Sequence, residues 1–276
     1  MVQAGSNRRL VGVVVACALA AAGAAPVSAG EVDAQYTVSL AGLTLGTATL
    51  KGNITPSKYS LNAQANLTGL AGMVTGGKGA AAATGVINGS AIVPGNYSLS
   101  AANSEMTRTI QMGMSSGTVQ QVVVNPPLEP KEDRVPVTAA HKVGVLDPIA
   151  AIMMPAKSGS PQGACERSIP IFDGAQRFTI TLSYAGTRTV RAMDGYSGPV
   201  LVCKARYTPV AGHRSERPAV KYMANNRDME TWLAPSGAEG IYIPFRVAVK
   251  TMIGTTVLEA TKFRVESTEA TAGLKK

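Results

Sequence analysis

The stretch CERSIPIFDGAQRFTITLSY, residues 165–184, holds two runs of β-forming residues separated by Asp173-Gly174. Successive side chains of a strand point to opposite faces, so Ile169 and Ile171 share one face, as do Phe178, Ile180 and Leu182. Gly174 tolerates the positive φ of a tight turn, and Asp173 can accept hydrogen bonds from its own backbone. Ser168–Phe172 and Gln176–Tyr184 are therefore predicted to form a hairpin with one apolar side. Cys165 stands just ahead of it, either as a nucleophile or as a staple at the root of the hairpin.

The same style of sequence extends in both directions. Upstream lie AQYTVSLAG, LTLGTATLKG, KYSLNAQANLTG, AAAATGVING, SAIVPGNYSLSAA, EMTRTIQMGM and GTVQQVVVNPP; downstream lie TRTVRAM, PVLVCKARYTP, METWLAP, IYIPFRVAVKT and TTVLEATKFRVES. Each run has strand length and period-two character and ends in turn chemistry. Short links favour antiparallel neighbours, since a parallel crossover takes a dozen or more residues. A mainly β, antiparallel fold follows.

Two segments break the pattern. In LDPIAAIMMP, residues 146–155, Asp147 takes an N-cap position, Pro148 the first helical position and Pro155 the stop, which predicts one short buried helix. LTGLAGMVTGGKG, residues 67–79, reads as a brief helix or a glycine-rich loop. NPPLEPKEDRVP, residues 125–136, reads as an exposed connector inside one domain, because both sides are strand-rich.

The N-terminus has a different character. Arg8 and Arg9 precede an apolar run from Leu10 to Ala25, which is shorter than the roughly 20 residues that span a bilayer and leads into Pro26-Val27-Ser28-Ala29. This is the pattern of a secretory signal with cleavage after Ala29, directing the chain to the periplasm. Rival readings are a lipoprotein signal with Cys17 as the modified N-terminus, and an uncleaved anchor. The expected divisions are a signal at 1–29, a single β-rich domain at 30–266 and a disordered tail at 267–276.

Lysine and arginine number 26 against 17 acids, a formal net charge of +9. That suits contact with anionic lipid or polysaccharide surfaces, and membrane contact after signal removal is expected to be peripheral at most. The cations are spread rather than blocked, and four Phe and one Trp supply few stacking platforms, so no nucleic-acid partner is expected. With Cys17 gone, Cys165 and Cys203 form an even pair in an oxidising compartment, which reads as a disulfide and demotes the nucleophile.

Several strings imitate catalytic motifs. Gly113-Met114-Ser115-Ser116-Gly117 fits a nucleophile elbow, but a second strand-like run follows, so a hairpin turn is expected. Gly72–Gly79 approaches a phosphate-binding loop, but Gly79 stands where a Ser or Thr must hold magnesium. Two histidines, His141 and His213, are too few for a zinc site beside paired cysteines, and no metal or cofactor is expected. In residues 211–232, His213, Arg214, Lys221 and Arg227 could grip an anionic headgroup or glycan, although interspersed Glu216, Asp228 and Glu230 favour a solvated loop.

VLDPIAAIM, the Cys165–Phe178 stretch, GYSGPVLVCKARYTPVAGHR, VKYMANNRDMETWLAP and PFRVAVKTMIGTTVLEAT, with the N-terminal YTVSLAGLTLGTATL, resemble the bacterial family catalogued as domain of unknown function 3108. The resemblance implies an exported β-rich protein with an intramolecular disulfide and no catalytic residues to carry over. By analogy of layout it also implies one strongly curved antiparallel sheet, an open barrel or β-spiral like that of lipoprotein carriers, around one short buried helix. Ile149, Ile152, Met153 and Met154 are the expected apolar plug of the concave face. The expected function is a non-catalytic envelope scaffold that holds a hydrophobic or amphipathic ligand, such as a lipid, or an envelope protein, and supports envelope integrity. The alternatives are an envelope glycan or ester hydrolase using Asp173, His213 or Glu230, and a structural module whose edges pair with other proteins.

Overall fold

The computed structural model describes residues 29–68, 76–156 and 160–268. The expected signal, with Cys17, lies outside the described residues except for Ala29, which opens the first strand. No described helix is long and apolar enough to cross a membrane.

Seven strands run as a meander: β1 (Ala29–Leu40), β2 (Leu43–Ile54), β3 (Lys58–Leu67), β4 (Gly77–Asn88), β5 (Ala91–Ala102), β6 (Thr107–Ser115) and β7 (Thr118–Asn125). A connecting region then crosses the structure and carries the short β8 (Met154–Pro155). The second half comprises β9 (Arg167–Phe172), β10 (Arg177–Arg191), β11 (Asp194–Gly195), β12 (Ser197–Ala211), β13 (Met229–Pro235), β14 (Ile241–Thr251) and β15 (Gly254–Thr268). Among the described residues one α-helix occurs, α1 (Pro218–Asn225), between β12 and β13.

All strands belong to one sheet, in the order β7-β6-β5-β4-β3-β2-β1-β15-β14-β13-β12-β10-β9, with β11 beside β15 and β8 beside β14. Every ladder is antiparallel except the short β11–β15 pair. The two halves are joined at the centre, where β1 pairs with β15 along its whole length. The sheet does not close, but residues 143–146 run between its free edges at one rim. Val143 bridges to Thr118 of β7, and Leu146 bridges to Ile171 of β9. Leu146 N–H donates to Pro170 O at 2.8 Å, and Phe172 N–H to Leu146 O at 2.9 Å.

The opening stretch folds as expected. Ile180 faces Ile169 and Phe178 faces Ile171 across β9 and β10. Asp173 Oδ1 accepts from the N–H groups of Ala175 and Gln176, and Gly174 has φ of +97°. Cys165 and Cys203 form the disulfide. The elbow-like string is the β6–β7 turn, with Ser116 and Gly117 both at positive φ.

Three expectations are corrected. LDPIAAIMMP forms only a 3-10 turn at Ala150–Ile152, after which Met154 and Pro155 pair with Tyr242 and Ile241 of β14. Two prolines leave too little chain for an α-helix, and strand-like bonds take both ends of the segment. RFTITLSY and TRTVRAM merge into the fifteen-residue β10, whose ladder shifts register between Tyr184 and Gly186. The expected tail begins too early, since Ser267 and Thr268 still pair with Gly30 and Ala29.

Apolar side chains gather in two clusters. The larger fills the concave side with Ile54, Tyr59, Leu61, Tyr97, Phe245 and Phe263, among others. The smaller lies under the disulfide, with Ile169, Ile171, Leu182, Leu201 and Leu233. The expected plug divides between them: Ile149, Ile152 and Met153 pack in the first, Met154 in the second.

Candidate functional site

The concave face is bulky toward one rim and small toward the other. Along β2 the inward positions run from Ile54 through Leu50 to Ala48, and along β3 from Tyr59 and Leu61 to Ala63 and Ala65. On β4 the series ends in Ala83, Ala81 and Gly79. At the bulky end Tyr196 packs on Phe245 and Phe263, with ring centroids 6.5 and 5.9 Å apart. At the small end the side chains do not meet across the curve, and a pocket of about 310 Å³ remains.

Ile149 and Ile152 of the 3-10 turn form one wall of this pocket, with Val247 of β14 and Leu258 of β15 beside them. No charged residue lines it. Tyr36, on β1, commits its phenol by donating to Pro244 O at 2.9 Å, and burial pushes that phenol far above its ordinary pKa. Such a surface gives water few partners and suits an apolar occupant.

Asp147 sets the position of the Ile149–Ile152 wall. Its Oδ1 accepts from Ile149 N–H at 2.9 Å and Ala150 N–H at 2.8 Å, closing a turn over Pro148, while the N-cap of the 3-10 turn falls on Ile149 rather than on Asp147 as the sequence predicts. The carboxyl is fully buried, Oδ2 has no hydrogen-bond partner among the described residues, and burial raises its pKa from 3.8 to about 6 despite the backbone bonds. The buried Tyr59 phenol also lacks a hydrogen-bond partner among the described residues, and both burial and the Asp147 charge push its pKa up.

The residues of the expected polar cluster are engaged separately. Arg214 pairs with Asp133 at 2.8 Å, Lys221 with Glu216 at 2.7 Å, and Arg227 is exposed. His213 binds the connector through its backbone, its O accepting from Val135 N–H. The hydrolase candidates are equally separate: no hydrogen bond joins any two of Asp173, His213 and Glu230 among the described residues. Asp173 builds its own turn, and burial raises its pKa. Glu230 is raised by burial and lowered more by Lys204, Trp232 and Arg246, which bind it at 3.0–3.1 Å. Trp232 itself lies between Arg188 and Arg246, 5.3 and 4.7 Å from the ring centroid, a packing arrangement rather than a reactive one. No group of three or more metal-ligating side chains occurs among the described residues.

A family model described as "Protein of unknown function (DUF3108)" matches residues 35–261. Among solved structures, the chain is similar to the crystal structure of a beta-barrel-like protein of domain of unknown function DUF1849 from Brucella abortus. The two share 11% identity with a TM-score of 0.52, over 88% of this chain and 99% of that one, which establishes likeness of fold. No curated protein matches the chain.

Proposed function

The chain belongs to the family of unknown function DUF3108, and we propose that it is an exported envelope protein whose curved sheet holds one alkyl or acyl chain, without catalysing a reaction on it. The observation that carries this reading is the pocket of about 310 Å³ with no charged lining residue. It has room for on the order of ten methylene groups, each taking about the volume of a water molecule, roughly 30 Å³. Burying each methylene is worth about 0.8 kcal/mol, enough for useful affinity after the cost of association. The buried disulfide suits an oxidising compartment, which agrees with export to the periplasm.

Native mass spectrometry of protein purified without detergent tests the reading. An adduct with the mass of a fatty acid or phospholipid is expected, and Ala63→Leu with Ala81→Leu, which fill the pocket from two strands, should abolish it while the fold persists. Ligand-free spectra from wild-type protein, repeated after incubation with fatty acid, would reject it.

A further inference from the structure

The hairpin tips at the small-residue end of the sheet differ from those at the other end. The β1–β2 and β14–β15 tips adjoin, since Ala41 N–H donates to Thr255 O at 2.9 Å. Together they expose Leu43 (55%), Met252 (59%) and Ile253 (55%), and the β5–β6 tip on the same rim exposes Met106. At the opposite rim the β2–β3, β4–β5 and β6–β7 tips are Thr55-Pro56-Ser57, Gly89-Ser90 and Ser116-Gly117. Met193, Val143 and Val86 are exposed there, but each on a separate segment, whereas Leu43, Met252 and Ile253 lie on adjoining tips.

From this asymmetry we infer that the rim bearing Leu43, Met252 and Ile253 docks on a phospholipid bilayer, preferentially an anionic one. Side chains projecting from separate turns insert into the interface without needing a shaped partner. A second copy of the chain is a poorer occupant, because four exposed side chains offer a few hundred Å² at most, against roughly 800 Å² per partner in a stable interface. Charge favours anionic lipid. Lys250 lies just before the β14–β15 tip, paired with Asp228, while exposed Lys78, Arg217 and Arg227 make no ion pair among the described residues. Glu105 and Glu132, in the same region, are acids that make no ion pair among the described residues, and the chain from Ala29 onward, without Arg8 and Arg9, carries 24 basic residues against 17 acidic ones, a net +7.

The docking surface also lies beside the mouth of the pocket. Ala65 stands two residues from the end of β3 and Gly79 two residues from the start of β4, a rise of about 7 Å. The bulky core is on the far side. A bilayer under this rim would thus present acyl chains to the pocket directly. This extends the ligand-binding reading, but docking itself depends only on the rim residues.

Vesicle flotation tests it, using a form that begins at Ala29 and so keeps every described strand. Wild-type protein should float with phosphatidylglycerol–phosphatidylcholine vesicles and less with phosphatidylcholine alone. The triple variant Leu43→Ser, Met252→Ser, Ile253→Ser should lose at least about tenfold in partitioning, while Met193→Ser should match wild type. Should the triple variant misfold, Ile253→Trp gives a second readout: its fluorescence should shift to the blue on vesicle addition and be quenched by lipids labelled near the headgroup. Absence of wild-type flotation, equal flotation of the triple variant, an equal loss in Met193→Ser, or an unmoved Ile253→Trp spectrum would overturn docking. Self-association without flotation would assign the rim to a second copy and overturn it too. Flotation by protein that never carries an acyl adduct supports docking and removes the ligand reading; an adduct without flotation does the reverse.

Discussion

Asp147 has one carboxylate oxygen committed to two backbone donors and the other buried without a hydrogen-bond partner among the described residues. Its pKa, 3.8 ordinarily, rises to about 6 in the folded chain, chiefly through burial, with the phenols of Tyr59 and Tyr97 close enough to feel its charge. The native state thus binds more protons than the unfolded state between these values, and stability falls as pH rises through that window. Above pH 6 the full contribution is about 3 kcal/mol against folding. Asp147→Asn keeps an acceptor for Ile149 and Ala150 and removes the charge. Urea unfolding at pH 4 and pH 7 should show a smaller loss of stability in this variant than in wild type; equal slopes would mean that Asp147 does not titrate there. The role of Asp147 as a side-chain acceptor was legible in the sequence, though as the N-cap of an α-helix that does not form. Its burial was not, because that depends on strands distant in the sequence.

Among the elements, the hairpin formed by β9 and β10 was the most legible because its turn, its register and its apolar face all follow from local chemistry. The fate of residues 146–155 depended instead on the free edge of β9, which draws Leu146 into strand-like bonds, and on β14, which pairs with Met154 and Pro155, leaving room for a single 3-10 turn. The pocket escaped notice for a related reason. Alanine and glycine at inward positions of β2 to β4 satisfy strand alternation without marking where bulk is missing, and only the pairing of strands shows that the small residues lie side by side. The disulfide fastens the root of the hairpin to β12, where Cys203 faces Tyr184 of β10. Closing a loop with a separation of 38 residues should be worth about 4 kcal/mol through the unfolded chain. Replacing both cysteines by alanine should lower the unfolding free energy by roughly that amount, measured in urea under non-reducing conditions. A loss under about 1 kcal/mol would show that strain or residual structure offsets the entropic gain.

At the scale of the whole molecule, the strands of the two halves of the chain are joined in the sheet by pairings that span nearly its full length. β15 lies between β1 and β14, with partners from Ala29↔Thr268 to Leu40↔Thr256 on one side and from Arg246↔Glu259 to Thr251↔Gly254 on the other. The larger apolar cluster crosses this line, uniting Val32, Tyr36 and Leu50 with Phe245 and Phe263. Neither half therefore owns a complete core, and the chain should unfold as one cooperative unit rather than as two domains. Long-range pairing of this kind also makes folding slow, because loop closure precedes any reward from the central ladder. A chain ending at Thr251 removes β15 alone, yet it uncovers the edges of β1 and β14 and opens the Phe245 cluster. Circular dichroism should then show no cooperative transition, and the fluorescence of Trp232, distant from β1 in the sheet order, should already be that of a solvated indole. If β1 to β7 kept a sharp transition without β15, the meander would be a domain in its own right, and the pocket walled by both halves would need another explanation.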